Sequence, residues 1–570
     1  MSRATLTGLA RPEANTAMLA DGGDEIVESL PVDTLNVPSI SRKHSSREPS
    51  SKGHDILFVT PEIADLVKVG GLGDVASSLP RALAAHHDVR LLMPAYREVL
   101  QSGYSIEIVD HLPAHAELPA CDLGQLIFDD GLIIYLVICP ELYEREGNPY
   151  CDELGVGWSD NDIRFARLGL AAAEIVSGNT ALDWQPSILH LHDWATALAA
   201  GYLHWRGDDT PVIFTIHNLA HQGLCELSRA SALGIPEQAL NSEELEYYGQ
   251  LSFMKAGLVY ASHITTVSAT YAREITTPEF GCGLEGLLAL KAEQGLLTGI
   301  PNGIDDSWDP RTDSHLARAF AMNDWRGKRA NADHVRKMFG LALCNGPLFA
   351  VVSRLVHQKG LDLTIGVAES IVRAGGQIVF IGRGEQGIER ALCNLAARFP
   401  GAIGVNIGFD ESDARCMYAG SDFLLMPSRF EPCGLSQLYA QRFGSLPIAH
   451  RTGGLVDTIE DGVSGFLFDE MTLCSYMEAI RRALMVFRAT DLFYAMRRAA
   501  MVNRFTWRHS IEPYNQLYRT LLQQKATTRH DIALPDSLRR VAFYDDITAT
   551  QEPGNSYPSE EKRVGAGAYG

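Results

Sequence analysis

Short apolar runs alternate with amphipathic stretches along most of this chain. The run Asp-Ile-Leu-Phe-Val-Thr at 55–60 predicts a buried strand, and the stretch at 73–85 predicts the helix after it. Further apolar runs predict two series of strands, the first at 89–93, 132–138, 188–191, 212–216 and 263–267, the second at 348–353, 377–381, 402–407, 422–426 and 446–450. Amphipathic stretches such as 361–373 and 385–398 predict intervening helices. Apolar strands that alternate with helices are typical of parallel sheets covered on both faces.

Two such series predict two doubly wound α/β domains, joined near residues 299–302. The predicted N-terminal domain covers 53–299 and the C-terminal domain covers 300–504. Ligands of open α/β sheets bind beyond the carboxyl ends of the strands. With two facing sheets, the expected site is therefore the cleft between the domains.

The two ends of the chain have a different composition from the body. Residues 1–52 contain no Phe, Trp or Tyr and are rich in Ser, Pro and Gly, and residues 526–570 are similarly polar. Both segments are predicted to be disordered. The leader has no long apolar stretch, and its acidic residues argue against a targeting peptide.

Charge and cysteine content narrow the class of protein. The 570 residues carry 49 Lys and Arg against 70 Asp and Glu, a net charge of −21, which argues against nucleic-acid binding. No apolar run approaches the roughly 18 residues of a membrane span. Ten cysteines without a Cys-x-x-Cys pair indicate reduced thiols and a cytoplasmic location, with neither a disulfide framework nor a zinc site.

A glycine-rich turn follows the first predicted strand and opens a helix. It reads Lys-Val-Gly-Gly-Leu-Gly-Asp over 68–74. Backbone N–H groups of glycines at a helix start can approach a phosphate, and Lys68 adds a full positive charge. The pattern matches neither the dinucleotide fingerprint nor the P-loop. A purely structural turn is an equally good interpretation.

Two further motifs follow strands of the second domain. Arg354 and Lys359 come after the run at 348–353 and could clamp a diphosphate, or could be solvated loop charges. Glu431 follows the run at 422–426, before Pro-Cys-Gly-Leu. A carboxylate beside free N–H groups can grip sugar hydroxyls and stabilise positive charge at an anomeric carbon. The alternatives are a helix-dipole partner for Glu431 and a buried apolar role for Cys433.

Other polar residues also cluster at strand ends. Thr452-Gly453-Gly454 is a candidate phosphate or sugar nest, and equally a plain turn. His217 and Asn218 follow the run at 212–216 and suit sugar hydroxyl recognition. Metal binding by these histidines is disfavoured, because no helical His-x-x-x-His face supports it. One cleft between the two domains would bring all of these motifs together.

Seven ordered motifs between about 55 and 521 resemble the bacterial glycogen synthase and plant starch synthase family. They are Lys-Val-Gly-Gly-Leu-Gly-Asp, His-Asp-Trp, Thr-Ile-His-Asn-Leu-Ala-His-Gln-Gly, Pro-Asn-Gly-Ile-Asp, Ser-Arg-Leu-x-x-Gln-Lys-Gly, Ser-Arg-Phe-Glu-Pro-Cys-Gly-Leu and Arg-Thr-Gly-Gly-Leu. The resemblance implies the GT-B fold, two Rossmann-like domains facing across a deep cleft. It also implies that a C-terminal helix at 505–525 returns to the first domain.

The resemblance implies retaining transfer of glucose from ADP-glucose to the non-reducing end of an α-1,4-glucan, without a metal or other cofactor. It assigns catalytic roles to Glu431, His217, Arg354, Lys359 and Asp74. The residues it assigns to the donor are Lys68, Gly70, Gly71, Asn218, Asn302, Phe409, Cys433, Gly434, Leu435, Thr452 and Gly453. Within this set Phe409 is expected to stack on adenine. It assigns Tyr143 and Trp194 to the acceptor.

Two alternatives stay open on the sequence alone. One is a related GT-B enzyme that uses UDP-glucose or makes maltose-1-phosphate. The other is a non-catalytic glucan-binding scaffold, which would be expected to lose Glu431, Arg354 or Lys359, whereas all three are present. The expected partners are therefore ADP-glucose and glycogen, with no nucleic acid and no membrane. The sequence does not indicate the oligomeric state.

Overall fold

The computed structural model describes residues 53–502 and 505–533. The predicted leader at 1–52 lies outside the described residues, as do residues 534–570 of the predicted tail. Residues 526–533 continue the last helix, which therefore runs past its expected end at 525. In the described ranges no helix is both long and apolar enough to cross a bilayer.

The N-terminal half of the described chain is built on one large sheet and one small one. Its strands are β1 (Asp55–Val59), β2 (Asp88–Pro94), β3 (Glu107–Leu112), β4 (Cys121–Ile127), β5 (Ile133–Ile138), β6 (Ile188–His192), β7 (Val212–Ile216), β8 (Leu224–Glu226), β9 (Glu246–Tyr247), β10 (Gln250–Ser252), β11 (His263–Thr266) and β12 (Leu297–Gly299). The large sheet has the order β12-β11-β7-β6-β1-β2-β5-β4-β3, with β4 and β3 antiparallel to their neighbours. The small antiparallel sheet has the order β8-β10-β9.

Eight helices accompany these strands in the described chain. They are α1 (Gly71–Leu83), α2 (Arg97–Leu100), α3 (Pro140–Tyr143), α4 (Asn161–Val176), α5 (Leu198–Trp205), α6 (Phe253–Tyr260), α7 (Ala269–Glu274) and α8 (Glu285–Glu293). The first of them shows why the sequence forms a helix here. Its buried side chains recur at helical spacing, as Leu72, Val75, Ala76, Leu79 and Leu83. This apolar stripe packs α1 on the sheet and fixes the position of the glycine-rich turn at its start.

The C-terminal half forms a second, fully parallel sheet. Its elements in chain order are α9 (Trp325–Met338), β13 (Leu348–Val352), α10 (Leu361–Arg373), β14 (Gln377–Gly382), α11 (Gln386–Arg398), β15 (Ile403–Ile407), α12 (Glu411–Gly420), β16 (Phe423–Met426), α13 (Ser436–Arg442), β17 (Leu446–His450), α14 (Gly453–Thr458), β18 (Phe466–Phe468), α15 (Leu473–Arg488), α16 (Thr490–Val502) and α17 (Trp507–Ala533). The strand order is β15-β14-β13-β16-β17-β18, with apolar clusters on both faces.

The strand orders locate the expected ligand crevices. In the second sheet the order is that of a Rossmann fold, and it reverses between β13 and β16. In the first sheet β1 lies between β6 and β2, so the corresponding reversal lies between β1 and β6. Ligands bind outside the carboxyl ends of strands at such reversals. The loops after β1, β6, β13 and β16 are therefore the places where the site should be.

The last helix belongs spatially to the first domain, although it follows the second in sequence. Side chains of α17, including Tyr514 and Tyr518, join the apolar core of the N-terminal sheet. The Tyr518 hydroxyl lies 2.9 Å from Nδ1 of His190, and Nε2 of that histidine lies 2.7 Å from Oγ1 of Thr215. Asn515 makes a further bond, 2.9 Å from its Oδ1 to Nε2 of His87. These buried polar contacts fix α17 on the first domain.

Replacing Tyr518 with Phe should lower the free energy of unfolding by about 1–3 kcal/mol, because a nitrogen of the buried His190 would lose its partner. Chemical denaturation of the variant beside the wild type measures this. Thr527→Val, a change on the exposed part of the same helix, is the control. Equal unfolding free energies for Tyr518→Phe and the wild type would contradict the inferred role of this contact.

Candidate active site

An ion pair between a half-buried lysine and a buried glutamate lies at the reversal point of the second sheet. Lys359 follows β13 and Glu431 follows β16, and Nζ of the lysine lies 2.6 Å from Oε2 of the carboxylate. The Ser428 hydroxyl donates to the same oxygen at 2.9 Å. Glu431 is only 6% exposed, so its charge is directed into the fold and not into solvent. Electrostatic interactions in such a shielded position are stronger than those at a surface.

The loops that carry this ion pair are joined through their backbones. Gly360 has a φ of +64°, and a Cβ there would lie 1.9 Å from the carbonyl oxygen of Pro427, so only glycine is compatible with this contact. The Arg429 N–H donates to the Gln358 carbonyl at 2.8 Å. Lys359 stands between these anchor points, so the backbone itself sets its distance from Glu431.

The segment after Glu431 forms the wall of the site that faces the first domain. Gly434 has a φ of +70°, and Leu435 immediately precedes α13. A Cβ on Gly71 would lie 3.5 Å from Cδ1 of Leu435, so the two domains meet here. Burial raises the pKa of the Cys433 thiol to about 12, which keeps it protonated, and Asn302 contacts its sulfur. The cysteine thus behaves as a small buried group.

The glycine-rich turn of the first domain is organised by a carboxylate that the sequence analysis missed. Oε2 of Glu62 accepts the N–H groups of Val69 at 2.6 Å and Gly70 at 3.1 Å, while its Oε1 accepts the Tyr150 hydroxyl. Burial raises the pKa of Glu62. The N–H of Gly70, predicted to face a phosphate, is therefore directed at a residue of the chain.

Lys68 is shared between the two domains. Its Nζ lies 2.6 Å from Oδ1 of Asp74 and 3.6 Å from Oε2 of Glu411, which belongs to the second domain. Glu411 is itself paired with Arg415 at 2.8 Å. Burial raises the pKa of Asp74. This chain of charges brings the predicted donor-binding lysine against the second domain.

A strained aspartate holds the next predicted residues. Asp193 has a φ of +57°, and its Oδ1 accepts the N–H groups of His217 at 2.8 Å and Asn218 at 3.3 Å. Nε2 of His217 lies 2.9 Å from Nδ1 of His192. Burial lowers the pKa of His217 to about 3, so its ring is neutral at physiological pH. A non-glycine residue in this conformation is costly and is typical of functional sites.

Asp193 should make the unfolding free energy depend on pH. Burial raises its pKa to about 7, so the stability that it contributes is present at low pH and is lost as the pH rises through 7. The Asp193→Asn variant has an uncharged side chain at every pH, so it lacks this pH-dependent contribution to the unfolding free energy. Relative to the wild type, the variant should therefore gain unfolding free energy between pH 5 and pH 8. Urea denaturation at pH 5 and at pH 8 measures this gain. The same difference in unfolding free energy between variant and wild type at both pH values would contradict the prediction.

The Thr452–Gly453 turn was predicted to bind the donor, but its donors have partners within the chain. The Thr452 hydroxyl and the Gly453 N–H both donate to Oε1 of Glu274, at 3.0 and 2.9 Å. Glu274 ends α7 of the first domain. Beside it, the Thr270 hydroxyl donates to Asp457 at 2.6 Å. In this conformation the turn is therefore a contact between domains and not an open nest.

The remaining predicted residues have contrasting environments. Tyr143, which was predicted to contact the acceptor, is 1% exposed, and its hydroxyl donates to the Arg164 carbonyl within the core. Trp194 lines a surface cavity. Phe409 is 61% exposed beside the end of β15, where its ring is available for stacking. Arg354 is exposed and has no carboxylate oxygen within 4.0 Å among residues 53–502 and 505–533.

Other features of the site were partly readable from the sequence. Asp193 lies inside the His-Asp-Trp motif, so a carboxylate at that strand end was visible although its backbone contacts were not. Glu62 lies three residues beyond β1. Its position just after a buried strand was the one feature of the sequence that could have indicated a site residue. In the portion of the chain that the structure covers, no group of three or more His, Cys, Asp or Glu side chains is arranged to hold a metal.

Comparison with known proteins agrees with this architecture. Residues 55–290 match the family model of the starch synthase catalytic domain, and residues 341–485 match that of the glycosyl transferases group 1. The two matches divide between the two Rossmann-like domains. Fold and matches together define a hexosyltransferase of the GT-B class.

Curated relatives narrow this class. The chain is 60% identical over 501 residues to the glycogen synthase of Pseudomonas fluorescens, covering 88% of this chain and 95% of that one. It is 62% identical over 472 residues to the glycogen synthase of Pseudomonas syringae pv. syringae, covering 83% and 97%. The chain belongs to the bacterial glycogen synthase family.

A solved structure extends the comparison. The catalytic domain of starch synthase IV from Arabidopsis thaliana, bound to ADP and acarbose, superimposes with a TM-score of 0.74 at 29% identity. The match covers 83% of this chain and 100% of that one. This likeness supports the GT-B fold, with its two facing domains.

Proposed function

We propose that this protein transfers glucose from ADP-glucose to the non-reducing end of an α-1,4-glucan, with retention of the α configuration. The observation that carries the proposal is the Lys359–Glu431 ion pair at the reversal point of the second sheet. It places one positive and one negative charge at the position where an open α/β sheet binds its ligand. When a bond between a sugar and a diphosphate breaks, the positive charge can act on the diphosphate and the negative charge on the sugar.

The cations act on the leaving diphosphate. Arg354 is not paired with a carboxylate among the described residues, and its guanidinium can donate hydrogen bonds to two phosphate oxygens. Lys359 contributes a compact charge beside it. As the sugar–phosphate bond breaks, negative charge grows on the diphosphate, and cations positioned nearby stabilise it. A protein with a net charge of −21 needs such a local concentration of cations to hold this ligand.

The carboxylate and the neutral histidine act on the sugar. Positive charge develops at the anomeric carbon, and the buried Glu431 stabilises it electrostatically. The His217 ring can hydrogen-bond a sugar hydroxyl without adding a second positive charge, because its low pKa keeps it neutral. Gly434 and Leu435 supply backbone groups at the same wall. The strained Asp193 keeps His217 and Asn218 in register with them.

Adenine recognition is assigned to Phe409. Its exposed ring follows β15, and an exposed aromatic face suits stacking on a purine. The Arabidopsis starch synthase was solved bound to ADP, which supports an adenine nucleotide as the carrier. On the other side of the cleft Trp194 is assigned to the glucan acceptor. The same relative was also solved bound to acarbose, which supports an oligosaccharide as the second ligand.

A donor comparison tests this proposal. Purified full-length protein is given ADP-glucose or UDP-glucose, with glycogen as the acceptor, and nucleoside diphosphate release and glucan growth are measured. A parallel reaction offers glucose-1-phosphate as the acceptor. Preferred use of ADP-glucose with growth of glycogen is expected. Preference for UDP-glucose, formation of maltose-1-phosphate, or binding of glycogen without turnover would overturn the proposal.

A further inference from the structure

The short helix α7 of the first domain lies against the segment of the second domain that carries Glu431. Ser268 directly precedes this helix and is 1% exposed. Its hydroxyl oxygen caps the helix by accepting the Tyr271 N–H at 3.1 Å, and the hydroxyl itself donates to the Pro432 carbonyl at 2.6 Å. The residue that follows Glu431 is therefore hydrogen-bonded to the first domain through a buried hydroxyl group.

The other end of α7 holds the turn at 452–454. Oε1 of Glu274 accepts both the Thr452 hydroxyl, at 3.0 Å, and the Gly453 N–H, at 2.9 Å. One carboxylate oxygen thus fixes a side chain and a backbone group of the same turn. Hydrogen bonds to a charged group are stronger than those between neutral groups. The turn is therefore bound to the first domain, although it belongs to the second.

The same turn packs directly on the backbone of Glu431. Gly453 has a φ of +47°, and a Cβ there would lie 2.0 Å from the Glu431 carbonyl oxygen, so only glycine is compatible with this contact. The Gly454 N–H donates to that carbonyl oxygen at 3.0 Å. A displacement of the turn would therefore displace the Glu431 backbone as well. Glu274 is in this way connected to Glu431 across the domain interface.

The second oxygen of the Glu274 carboxylate is held at a cost. Oε2 is buried and has no hydrogen-bond partner within residues 53–502 and 505–533. A buried acceptor without a partner lowers the free energy of unfolding. Departures of this kind from local stability are expected where a residue serves function.

A further contact of α7 provides a comparison, because it joins the two domains without passing through the turn. The Thr270 N–H donates to Oδ2 of Asp457 at 2.9 Å, and the Thr270 hydroxyl donates to Oδ1 at 2.6 Å. Asp457 is exposed and lies in α14, about one helical turn beyond Gly454. The effect of this contact on the reaction can therefore be separated from that of Glu274.

We propose that Glu274 is a positioning residue that fixes the place of the Glu431 carboxylate from the first domain. In this assignment, which rests on the proposed role of Glu431 in glucose transfer, Glu274 acts through the turn at 452–454. Ser268 adds a direct bond to the neighbouring Pro432 carbonyl. A displaced Glu431 stabilises the transition state less and leaves the binding of either substrate almost unchanged. Loss of Glu274 should therefore lower kcat and leave the KM values near those of the wild type.

Glu274→Ala and Glu274→Gln test this role by steady-state kinetics with ADP-glucose and glycogen. The alanine variant should lose about tenfold in kcat, since small displacements of a catalytic group are costly. The glutamine variant keeps an oxygen that can accept both hydrogen bonds, so it should recover most of kcat. The controls are Thr270→Ala on the same helix and Glu279→Ala at an exposed glutamate just beyond it, and both should keep the wild-type kcat. An unchanged kcat in Glu274→Ala, or an equal loss in Thr270→Ala, would overturn the proposal.

A double-mutant cycle with Glu431→Gln separates positioning from general loss of structure. If Glu274 acts through the Glu431 carboxylate, adding Glu274→Ala to Glu431→Gln should lower kcat by no more than about twofold, because the two changes affect one interaction. A further tenfold loss in the double variant would show that Glu274 acts elsewhere and would overturn the proposal while leaving the proposed function intact. A wild type without any transfer to glucans would instead refute the proposed function.

Discussion

Replacing Glu431 with glutamine should lower kcat by about 10²–10³, the loss typical of removing one preorganised electrostatic contact from a transition state. The amide keeps the shape of the side chain and can still accept the Ser428 hydroxyl. It cannot stabilise positive charge at the anomeric carbon, and it leaves the Lys359 ammonium without its partner at 2.6 Å. Steady-state kinetics with ADP-glucose and glycogen measure the change, with the KM for glycogen expected to stay near its wild-type value.

The matched control for this variant is Glu478→Gln. Glu478 is an exposed glutamate of α15 in the same domain, paired only with Arg481 on the helix surface. Surface ion pairs contribute little, so its activity and melting temperature should match the wild type. Near-normal turnover in Glu431→Gln, with the protein folded, would show that this carboxylate has no part in the reaction.

Lys359→Ala should lower kcat by about 10² and raise the KM for ADP-glucose. The negative charge that grows on the departing diphosphate would be stabilised by one cation fewer. The change also leaves the buried Glu431 carboxylate without its counter-charge. Lys359→Arg separates charge from geometry. The planar guanidinium of arginine cannot occupy the place of the compact ammonium that pairs with Glu431, so this variant should recover only part of kcat.

Lys337→Ala serves as the control for the lysine, since that side chain is exposed in the last turn of α9. Its kinetic constants should equal those of the wild type. An unchanged kcat in Lys359→Ala would mean that this lysine is a loop charge held by Glu431 for structural reasons. The diphosphate would then have to be stabilised by Arg354 and Lys68.

The strand framework was predictable because its signal is local. The runs predicted at 188–191, 212–216 and 348–353 correspond to Ile188–His192, Val212–Ile216 and Leu348–Val352. Buried parallel strands are apolar throughout, and that pattern survives without knowledge of their neighbours. The strands β3, β4, β8 to β10, β12 and β18 were missed. β3 is mostly exposed, and β8 to β10, β12 and β18 are only two or three residues long. Their pairing depends on contacts between distant segments.

Within the site, the sequence indicated which residues stand at strand ends but not which groups they face. The N–H of Gly70 points to Glu62, and that of Gly453 points to Glu274, although the family resemblance assigns both glycines to the donor. The position of Tyr143 in the core was not predictable for the same reason. An aromatic residue gives no local sign of which face of its element its side chain lies on. Such partners are set by tertiary packing between segments that the sequence pattern treats separately.

Part of the chain's excess of carboxylates is paired with the lysines of the candidate site. Lys68 is held by Asp74 and Glu411, and Lys359 by Glu431, so both predicted donor-binding lysines are already paired with carboxylates. A diphosphate must therefore compete with carboxylates of the protein for these cations. If these lysines bind the donor as proposed, each would regain its carboxylate partner as the nucleotide leaves, which would favour product release.

In the proposed reaction, one glucose passes from ADP-glucose to the non-reducing end of a glucan. The most direct measurement uses ADP-glucose labelled with ¹³C in the sugar and maltoheptaose as acceptor, followed by mass spectrometry and NMR of the products. We expect a maltooctaose with the label in its non-reducing terminal unit, joined by an α-1,4 bond, and one ADP for each glucose transferred. Label released as free glucose, a β linkage, or label at the reducing end would contradict it.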